Sequence, residues 1–226
     1  MKKSFLAALS ILLIGALVVD GCKKSDNPVS GDKPPIPVFT WSVPAVDTTM
    51  CGLTAYSSVV EVQAMTTLTN AFAALPATDN NGTWTWNAPQ DGVNYTLTAT
   101  PSQSGYQWVL KGNGTDTQTQ VNYSDFTFFS GTTSADGSTG DLTIYDDSNP
   151  GTPTILGKFS WTISGTTVNA TFESYQNGAE YAKVDIVSTV GAGGSVTIYP
   201  WTGSAYSTTP NYHGTWSAPN GTVTCG

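Results

Sequence analysis

The sequence of 226 residues contains no arginine and a single histidine, His213. All eight basic residues are lysines, and three of them follow residue 33, against many more aspartates and glutamates. Nucleic-acid binding draws most of its affinity from Lys and Arg on phosphates, so this composition excludes a nucleic-acid partner. It also argues against phosphorylated or carboxylated ligands, which arginine recognises with its paired N–H groups.

The motifs of common catalytic and cofactor sites are also absent. The chain has no G-x-S-x-G, H-E-x-x-H, P-loop or G-x-G-x-x-G motif, and no nucleophile stands beside His213. The aspartates at 136, 141, 146 and 147 lack the spacing of a calcium-binding EF-hand loop and are typical of turns. We therefore expect a protein that is not an enzyme and has neither a cofactor nor a metal ion.

A hydrolase with paired carboxylates is the weakest alternative. The chain has three glutamates, Glu61, Glu173 and Glu180. Glu173 is expected on the polar side of a hairpin, diagonal to Lys183, which is more simply a solvated cross-strand pair.

The longest apolar run covers residues 5–19 and follows Lys2 and Lys3. It is shorter than the roughly 20 residues that cross a bilayer core. Its length and its basic start are typical of a secretory signal peptide. A short transmembrane anchor is the alternative.

Residues 19–22 read Val-Asp-Gly-Cys. This stretch resembles the lipobox of bacterial lipoproteins. The resemblance implies that residues 1–21 are a signal peptide and that Cys22 becomes a lipidated N-terminus which attaches the protein to a membrane. Lys23, directly after the cysteine, implies by the same resemblance the outer membrane of a Gram-negative cell envelope, on its periplasmic or surface side.

The following residues, 22–39, are rich in Pro, Ser, Gly and charge and are expected to form a flexible tether. Residues 40–226 then form one domain. Its two cysteines, Cys51 and Cys225, lie near its ends. Because an exported protein meets an oxidising compartment, we expect them to form a disulfide.

The domain is predicted to be mainly β, with one amphipathic helix packed on it. The helix covers about residues 57–75, with Ser57 or Ser58 as its cap and Pro76 after its end. From Gly82 onward, apolar residues alternate with period two between turn clusters, which indicates an antiparallel meander. Because about ten twisted strands strain an open sheet, we expect an up-and-down barrel or a strongly curved half-barrel. The arrangement is analogous to lipocalin-like and lipoprotein-carrier folds, without a motif of either.

Two hairpins and one bulge follow from the alternation. A two-residue loop at Ser164-Gly165 would place Trp161 opposite Val168. A three-residue loop ending at Gly178 would place Phe172 opposite Ala182, and it is preferred to a two-residue Asn-Gly loop because it keeps one face apolar. A bulge near residues 124–125 would restore the alternation of the next Phe pair.

Aromatic residues are the one enriched feature that suggests a ligand. The candidates are Trp84, Trp86, Trp108, Tyr199 and Trp201. Neutral polar groups beside aromatic rings suit an uncharged ligand, either carbohydrate or lipid-like. We therefore expect a lipid-anchored envelope lipoprotein whose β-domain binds such a ligand or a protein partner without catalysis. The alternative is a structural or surface-display lipoprotein with no small ligand.

Overall fold

The computed structural model of the chain describes residues 33–37, 39–46 and 48–226, without the side chains of residues 64, 65 and 67–70. The predicted signal peptide, Cys22 and residues 22–32 of the predicted tether lie outside the described residues. Within the described tether residues, Ile36 and Phe39 are buried in the core. The packed chain therefore begins earlier than the predicted boundary at residue 40, because these two apolar side chains cover part of the sheet.

The sheet is a single antiparallel meander of 12 strands in sequential order. Its strands are β1 Ala77–Asn80, β2 Thr83–Gln90, β3 Val93–Ser102, β4 Gly105–Thr115, β5 Asn122–Ser134, β6 Thr139–Tyr145, β7 Ile155–Ser164, β8 Thr167–Gln176, β9 Ala179–Thr189, β10 Gly193–Pro200, β11 Tyr212–Trp216 and β12 Thr224–Cys225. The meander confirms the predicted fold class, but the predicted barrel is wrong in its closed form. Strands β1 and β12, of four and two residues, are the two edges of the sheet; each pairs with one neighbour and they do not pair with each other.

Alternation along the strands gives the sheet two different faces. We call the face that packs against the helix and residues 34–37 and 39–46 the inner face. It carries every second residue of each strand, and these residues are mostly apolar, such as Trp84 and Trp86 in β2. We call the opposite side the outer face; it carries Thr85 in β2 and Thr98 in β3, which pair directly. Antiparallel sheets with one buried and one solvated face show this pattern.

Helix α1 covers Met50–Ala73. It begins seven residues before the predicted start, because Thr49 is its cap and accepts a hydrogen bond from the Gly52 amide at 3.1 Å. The prediction used Ser57 or Ser58 as the cap and therefore missed the first two turns, although their buried Ala55 lies in line with Val59 and Val62. The helix turns its buried residues toward the inner face of the sheet: Ala55, Val59, Val62, Thr66 and Phe72. In the described part of the chain, no helix combines the length and apolarity that a membrane span requires.

Two hairpin registers differ from the predictions by two residues. Trp161 pairs with Ala170 rather than with Val168. Trp161 and Ala170 both lie on the inner face. At the next hairpin, Asn177 and Gly178 form the two-residue turn that the sequence argument rejected, with φ of 53° and 78°. Tyr181 is an extra residue between the pairs of β8 and β9, and this bulge restores the apolar face.

The predicted bulge in β5 is confirmed. Gly112 pairs with Phe126 and Gly114 with Tyr123, so β5 has one residue more than β4 over this interval. Asp125, with a φ of 53°, lies in that interval. The side chains on either side of the bulge, Tyr123 and Phe126, are both buried as a result.

The predicted disulfide is also confirmed. Cys51 in the first turn of α1 is bonded to Cys225 in β12, across a Cα–Cα distance of 6.2 Å. The bond ties the helix to the last edge strand. Nearby, the Tyr212 hydroxyl donates a hydrogen bond to the Cys51 carbonyl at 2.8 Å, so β11 is held to the same turn.

Candidate functional site

Three of the five predicted ligand-binding aromatics lie in the core. Trp84, Trp86 and Trp108 are 5%, 0% and 4% exposed. The rings of Trp86 and Trp108 pack at a centroid distance of 5.7 Å, and the Trp108 indole donates to the Thr133 hydroxyl at 3.0 Å. These positions offer a ligand no accessible surface, so we assign the three side chains to packing and leave them out of the candidate site.

The other two predicted aromatics lie at one end of the outer face. Val196 in β10 is buried on the inner face, so Tyr199, an odd number of positions along the same strand, points outward. The Lys183 ammonium lies 4.4 Å from the centroid of the Tyr199 ring. Trp201 follows β10, and its amide donates to the Tyr181 carbonyl at 3.0 Å. Tyr199 and Trp201 are both half-buried.

Tyr206 joins this end of the outer face from the loop after β10. Its ring meets Trp201 edge-on at a centroid distance of 5.1 Å. Burial raises the pKa of the Tyr206 phenol, and the neighbouring Glu173, Glu180 and Tyr175 raise it further. The bridge between Trp201 and Tyr206 places this part of the loop beside the end of β9 that contains Tyr181.

The Tyr206 hydroxyl is buried and has no hydrogen-bond partner in the described part of the chain. Buried polar groups are almost always paired, since an unpaired one costs about 1–3 kcal/mol. The Tyr206 hydroxyl is sealed from solvent, as is the Trp86 indole nitrogen on the inner face, which also lacks a partner among the described residues, so a ligand group can pair with this hydroxyl only when the contact between Tyr206 and Trp201 opens.

The register lines up ionic side chains on the outer face. Lys158, Glu173, Lys183 and Tyr199 form one row across β7 to β10. The Lys158 ammonium lies 5.4 Å from the Tyr175 ring centroid, and Tyr175 raises the pKa of Lys158 by a hydrogen bond and by its charge. The row alternates in sign, so it presents donors and acceptors without a large field of either sign.

A second row of polar side chains on the outer face, through Thr171, Asp185 and Thr197, is linked by hydrogen bonds. The Thr171 hydroxyl donates to Asp185 Oδ1 at 2.8 Å, and Lys183 Nζ lies 3.1 Å from Asp185 Oδ2. Further along, Thr197 and His213 Nδ1 are hydrogen-bonded at 2.9 Å. Asp185 is thus satisfied by its neighbours. Glu173, by contrast, makes no hydrogen bond or ion pair within the described residues, although lysines stand opposite it on both neighbouring strands.

A groove of about 220 Å³ lies between these two rows. Its polar lining consists of Asp141, Thr143, Lys158, Ser160, Thr171 and Glu173. Asp141 already accepts a hydrogen bond from the Thr132 hydroxyl at 2.6 Å. The unpaired Glu173 carboxylate therefore stands in the groove with free acceptor capacity.

A second cluster of acids lies near the loop after β6. Asp147 is 6% exposed; its Oδ2 accepts from the Tyr123 hydroxyl at 3.2 Å, and its Oδ1 has no partner in the described structure. Burial raises the pKa of Asp147, against the Tyr123 hydrogen bond, with Asp146 and Asp116 adding to the rise. Burial, then Asp116, Asp147 and Asp91, also raise the pKa of Tyr95 to about 12. This environment favours a protonated carboxyl group.

The acid cluster is not arranged as a metal site. Asp116 Oδ1 accepts from the amides of Gln118 and Thr119 at 2.7 and 3.2 Å, which is a turn contact. Among the residues that the structure describes, no group of three or more His, Cys, Asp or Glu side chains is placed to hold a metal ion.

Sequence reasoning missed most of the outer cluster. It identified Tyr199 and Trp201, and it placed Glu173 near Lys183, but it did not bring Tyr175, Tyr206 or Lys158 to them. One usable signal was that two of the three lysines beyond residue 33 and two of the three glutamates fall in adjacent predicted strands. Tyr206 gave no signal, because its loop has no periodicity.

No protein-family model, curated protein or solved structure matches this chain. The chemistry of the site is therefore drawn from its own side chains. Together they offer aromatic ring edges and faces, hydroxyl groups, one unpaired carboxylate and two ammonium groups on an accessible surface. Such a set can bind a polar ligand by stacking and hydrogen bonding.

Proposed function

We propose that this protein is a lipid-anchored lipoprotein of the cell envelope whose β-domain is a non-enzymatic binding module. The observation that carries the proposal is one outer cluster, which we call the outer patch: Lys158, Glu173, Tyr175, Lys183, Tyr199, Trp201 and Tyr206. Large aromatic groups that gather on a surface mark contacts with a ligand or a partner. The inner face is filled by side chains, so binding is assigned to the outer face.

The anchoring half of the proposal is supported by the leader pattern and by the disulfide. A disulfide that persists is typical of exported proteins. The described chain begins at Lys33, whose ammonium donates to the carbonyls of Ala73 and Leu75 at 3.3 Å. Residues 22–32 would then connect the lipid to this corner of the domain, with an extended reach of roughly 36–40 Å.

Cys22→Ala tests the anchor. The full chain, expressed in a Gram-negative host with radioactive palmitate, should carry label and fractionate with membranes. The Cys22→Ala variant should lose the label and either leave the membrane or remain as an uncleaved precursor.

The matched control is the double variant Cys51→Ala, Cys225→Ala, which should keep both label and membrane fractionation. If Cys22→Ala is cleaved and still fractionates with membranes, the lipoprotein proposal is wrong.

A carboxylate-dependent hydrolase is the second candidate, and one observation favours it: Asp141 and Glu173 line the same groove. Glycosidases use two carboxyl groups on either side of the scissile bond. The Glu173→Gln variant separates the two functions. A hydrolase would lose its turnover with this variant, whereas a binding module has no turnover at any substrate concentration and changes in affinity alone.

A further inference from the structure

We propose that the outer patch and the adjoining groove form a binding site for a neutral oligosaccharide. This inference rests on the proposed function and names the ligand class of the same face. Three properties of the site carry it: the aromatic end, the unpaired polar groups and the alternating charges.

The aromatic end suits the apolar face of a sugar ring. Tyr and Trp present a flat apolar surface with a polar tip, which matches a ligand with C–H groups on its ring face and hydroxyls around its edge. Trp201 and Tyr206 meet edge-on, so their planes form a corner rather than a flat stack. Tyr175, with Lys158 above it, continues the aromatic surface toward the groove.

The polar groups fit the hydroxyls of the same ligand. A sugar hydroxyl both donates and accepts, so it can pair with a carboxylate, an ammonium group or another hydroxyl. Glu173 has free acceptor capacity, and the buried Tyr206 hydroxyl lacks a partner in the described structure. Ser160 and Thr171 add hydroxyl groups to the lining of the groove. Because this hydroxyl is sealed from solvent, the ligand reaches it by opening the contact between Tyr206 and Trp201, and the new hydrogen bond satisfies a group that costs stability while it is unpaired.

The charges argue for a neutral ligand. Along the row, Glu173 lies between Lys158 and Lys183, and Asp185 pairs with Lys183. An anionic ligand would meet the carboxylates, and a cationic one would meet the ammonium groups. Charges of like sign brought together destabilise a complex, so alternating signs favour ligands with no net charge.

The extent of the site favours an oligosaccharide over a monosaccharide. The row spans β7 to β10, which is three strand spacings or roughly 14–15 Å. That span exceeds a single hexose ring. A chain of sugars lying across the strands would contact the groove at one end and Trp201 at the other.

The test uses the full chain in detergent micelles and titrates it with cellohexaose, maltohexaose, laminarihexaose and mannohexaose, monitored by calorimetry. Glucose and mannose test the length requirement, and hexagalacturonate is the anionic comparison. We expect at least one neutral hexasaccharide to bind more than about tenfold more tightly than its monosaccharide and than hexagalacturonate, a factor that corresponds to about 1.4 kcal/mol.

Two variants locate the site. Trp201→Ala should lower the affinity for the hexasaccharide that binds by about tenfold or more, as loss of a large aromatic contact commonly does. Tyr206→Phe removes one hydroxyl and keeps the ring, and it should weaken binding by roughly three- to tenfold, the value of one hydrogen bond. The matched control is Tyr181→Phe, because Tyr181 lies on the same hairpin end but is 61% exposed; its affinity should be unchanged.

Tyr206→Phe keeps the test decisive if Trp201→Ala does not fold, because it keeps the ring and removes no hydrogen bond within the described residues. The inference is overturned if no neutral hexasaccharide binds, if hexagalacturonate binds best, or if Tyr206→Phe binds as tightly as the natural chain. Palmitate labelling of the same preparation separates this result from the proposed function. If the chain carries the label but binds none of the four hexasaccharides, the lipid anchor is supported and the oligosaccharide proposal is wrong.

Discussion

The two faces of the sheet are built from the same strands, yet their aromatic residues differ in burial and in hydrogen bonding. On the inner face, Trp86 is fully buried and packs on Trp108. On the outer face, Trp201 is half-buried and meets Tyr206, whose hydroxyl has no partner among the described residues. The inner ring lies in the buried apolar cluster, with the Lys33 ammonium 5.5 Å from its centroid. The outer ring is partly open to solvent and pairs with Tyr206 alone among the described aromatic residues.

The difference teaches that an aromatic-rich β sequence has to be divided by face before a site is chosen. Every second residue of a strand faces the same side. The buried face carries Trp84, Trp86 and Trp108 together with Leu97 and Leu110, so these tryptophans fill the core. Tyr199 lies on the same outer face as Lys183 and Glu173, so it is available to a ligand.

The largest expected effect comes from breaking the inner face. Trp86→Ala should destabilise the protein by about 3–5 kcal/mol, because a fully buried indole leaves a cavity that its neighbours cannot fill. Equilibrium denaturation in urea measures the loss. A change below about 1 kcal/mol would show that the inner face repacks freely, against the close packing described here.

The disulfide should have the next largest effect. Replacing Cys51 and Cys225 together by Ser releases a loop of 174 residues and should cost about 2–4 kcal/mol, mostly through the unfolded chain. Denaturation with and without reductant provides the measurement. Reductant should lower the stability of the natural chain to that of the double variant and leave the variant unchanged; an equal response of both chains would contradict the prediction.

A smaller effect, opposite in sign, is expected at Asp147. Its raised pKa means that the folded state holds the proton more tightly than the unfolded chain does. The stabilisation is therefore present in acid and is lost as the pH rises through the folded pKa. Asp147→Asn stays neutral and can keep the bond from Tyr123, so at neutral pH it should be more stable by about 1 kcal/mol.

Thermal melts across the acidic range check this prediction. The advantage of Asp147→Asn should shrink as the pH falls, because the natural carboxyl group also becomes neutral. Asp125→Asn is the matched control, since Asp125 is exposed, its surface ion pair with Lys111 contributes little to stability, and it already has the positive φ that Asn tolerates. If Asp147→Asn is less stable than the natural chain at neutral pH, the carboxylate has a partner that this account lacks.

Much of the fold could be predicted because it depends on local patterns. Period-two alternation predicts the meander, and the phase slip beside Tyr123 predicts the bulge at Asp125. Closure of the sheet could not be predicted, because it depends on whether two distant edges meet. The turn after β8 does not follow from the alternation, because the bulge at Tyr181 changes the pairing without a signal in the sequence.

The candidate site was predictable in part for the same reason. Tyr199 belongs to a strand, so its face follows from that of Val196 and Ile198. Tyr206 belongs to a loop, and its position against Trp201 depends on how the chain returns from β10 to β11. A residue whose place is decided by tertiary packing leaves no periodic trace.

The most direct test of the central claim, that the outer patch is kept for binding and not for packing, is a paired measurement on Tyr206→Phe. Its unfolding free energy and its affinity for the hexasaccharide that the natural chain binds should be measured on one preparation. We predict a stability equal to or above that of the natural chain, because an unpaired buried hydroxyl is removed, together with weaker binding. A variant that is less stable and binds as tightly as the natural chain would contradict the account.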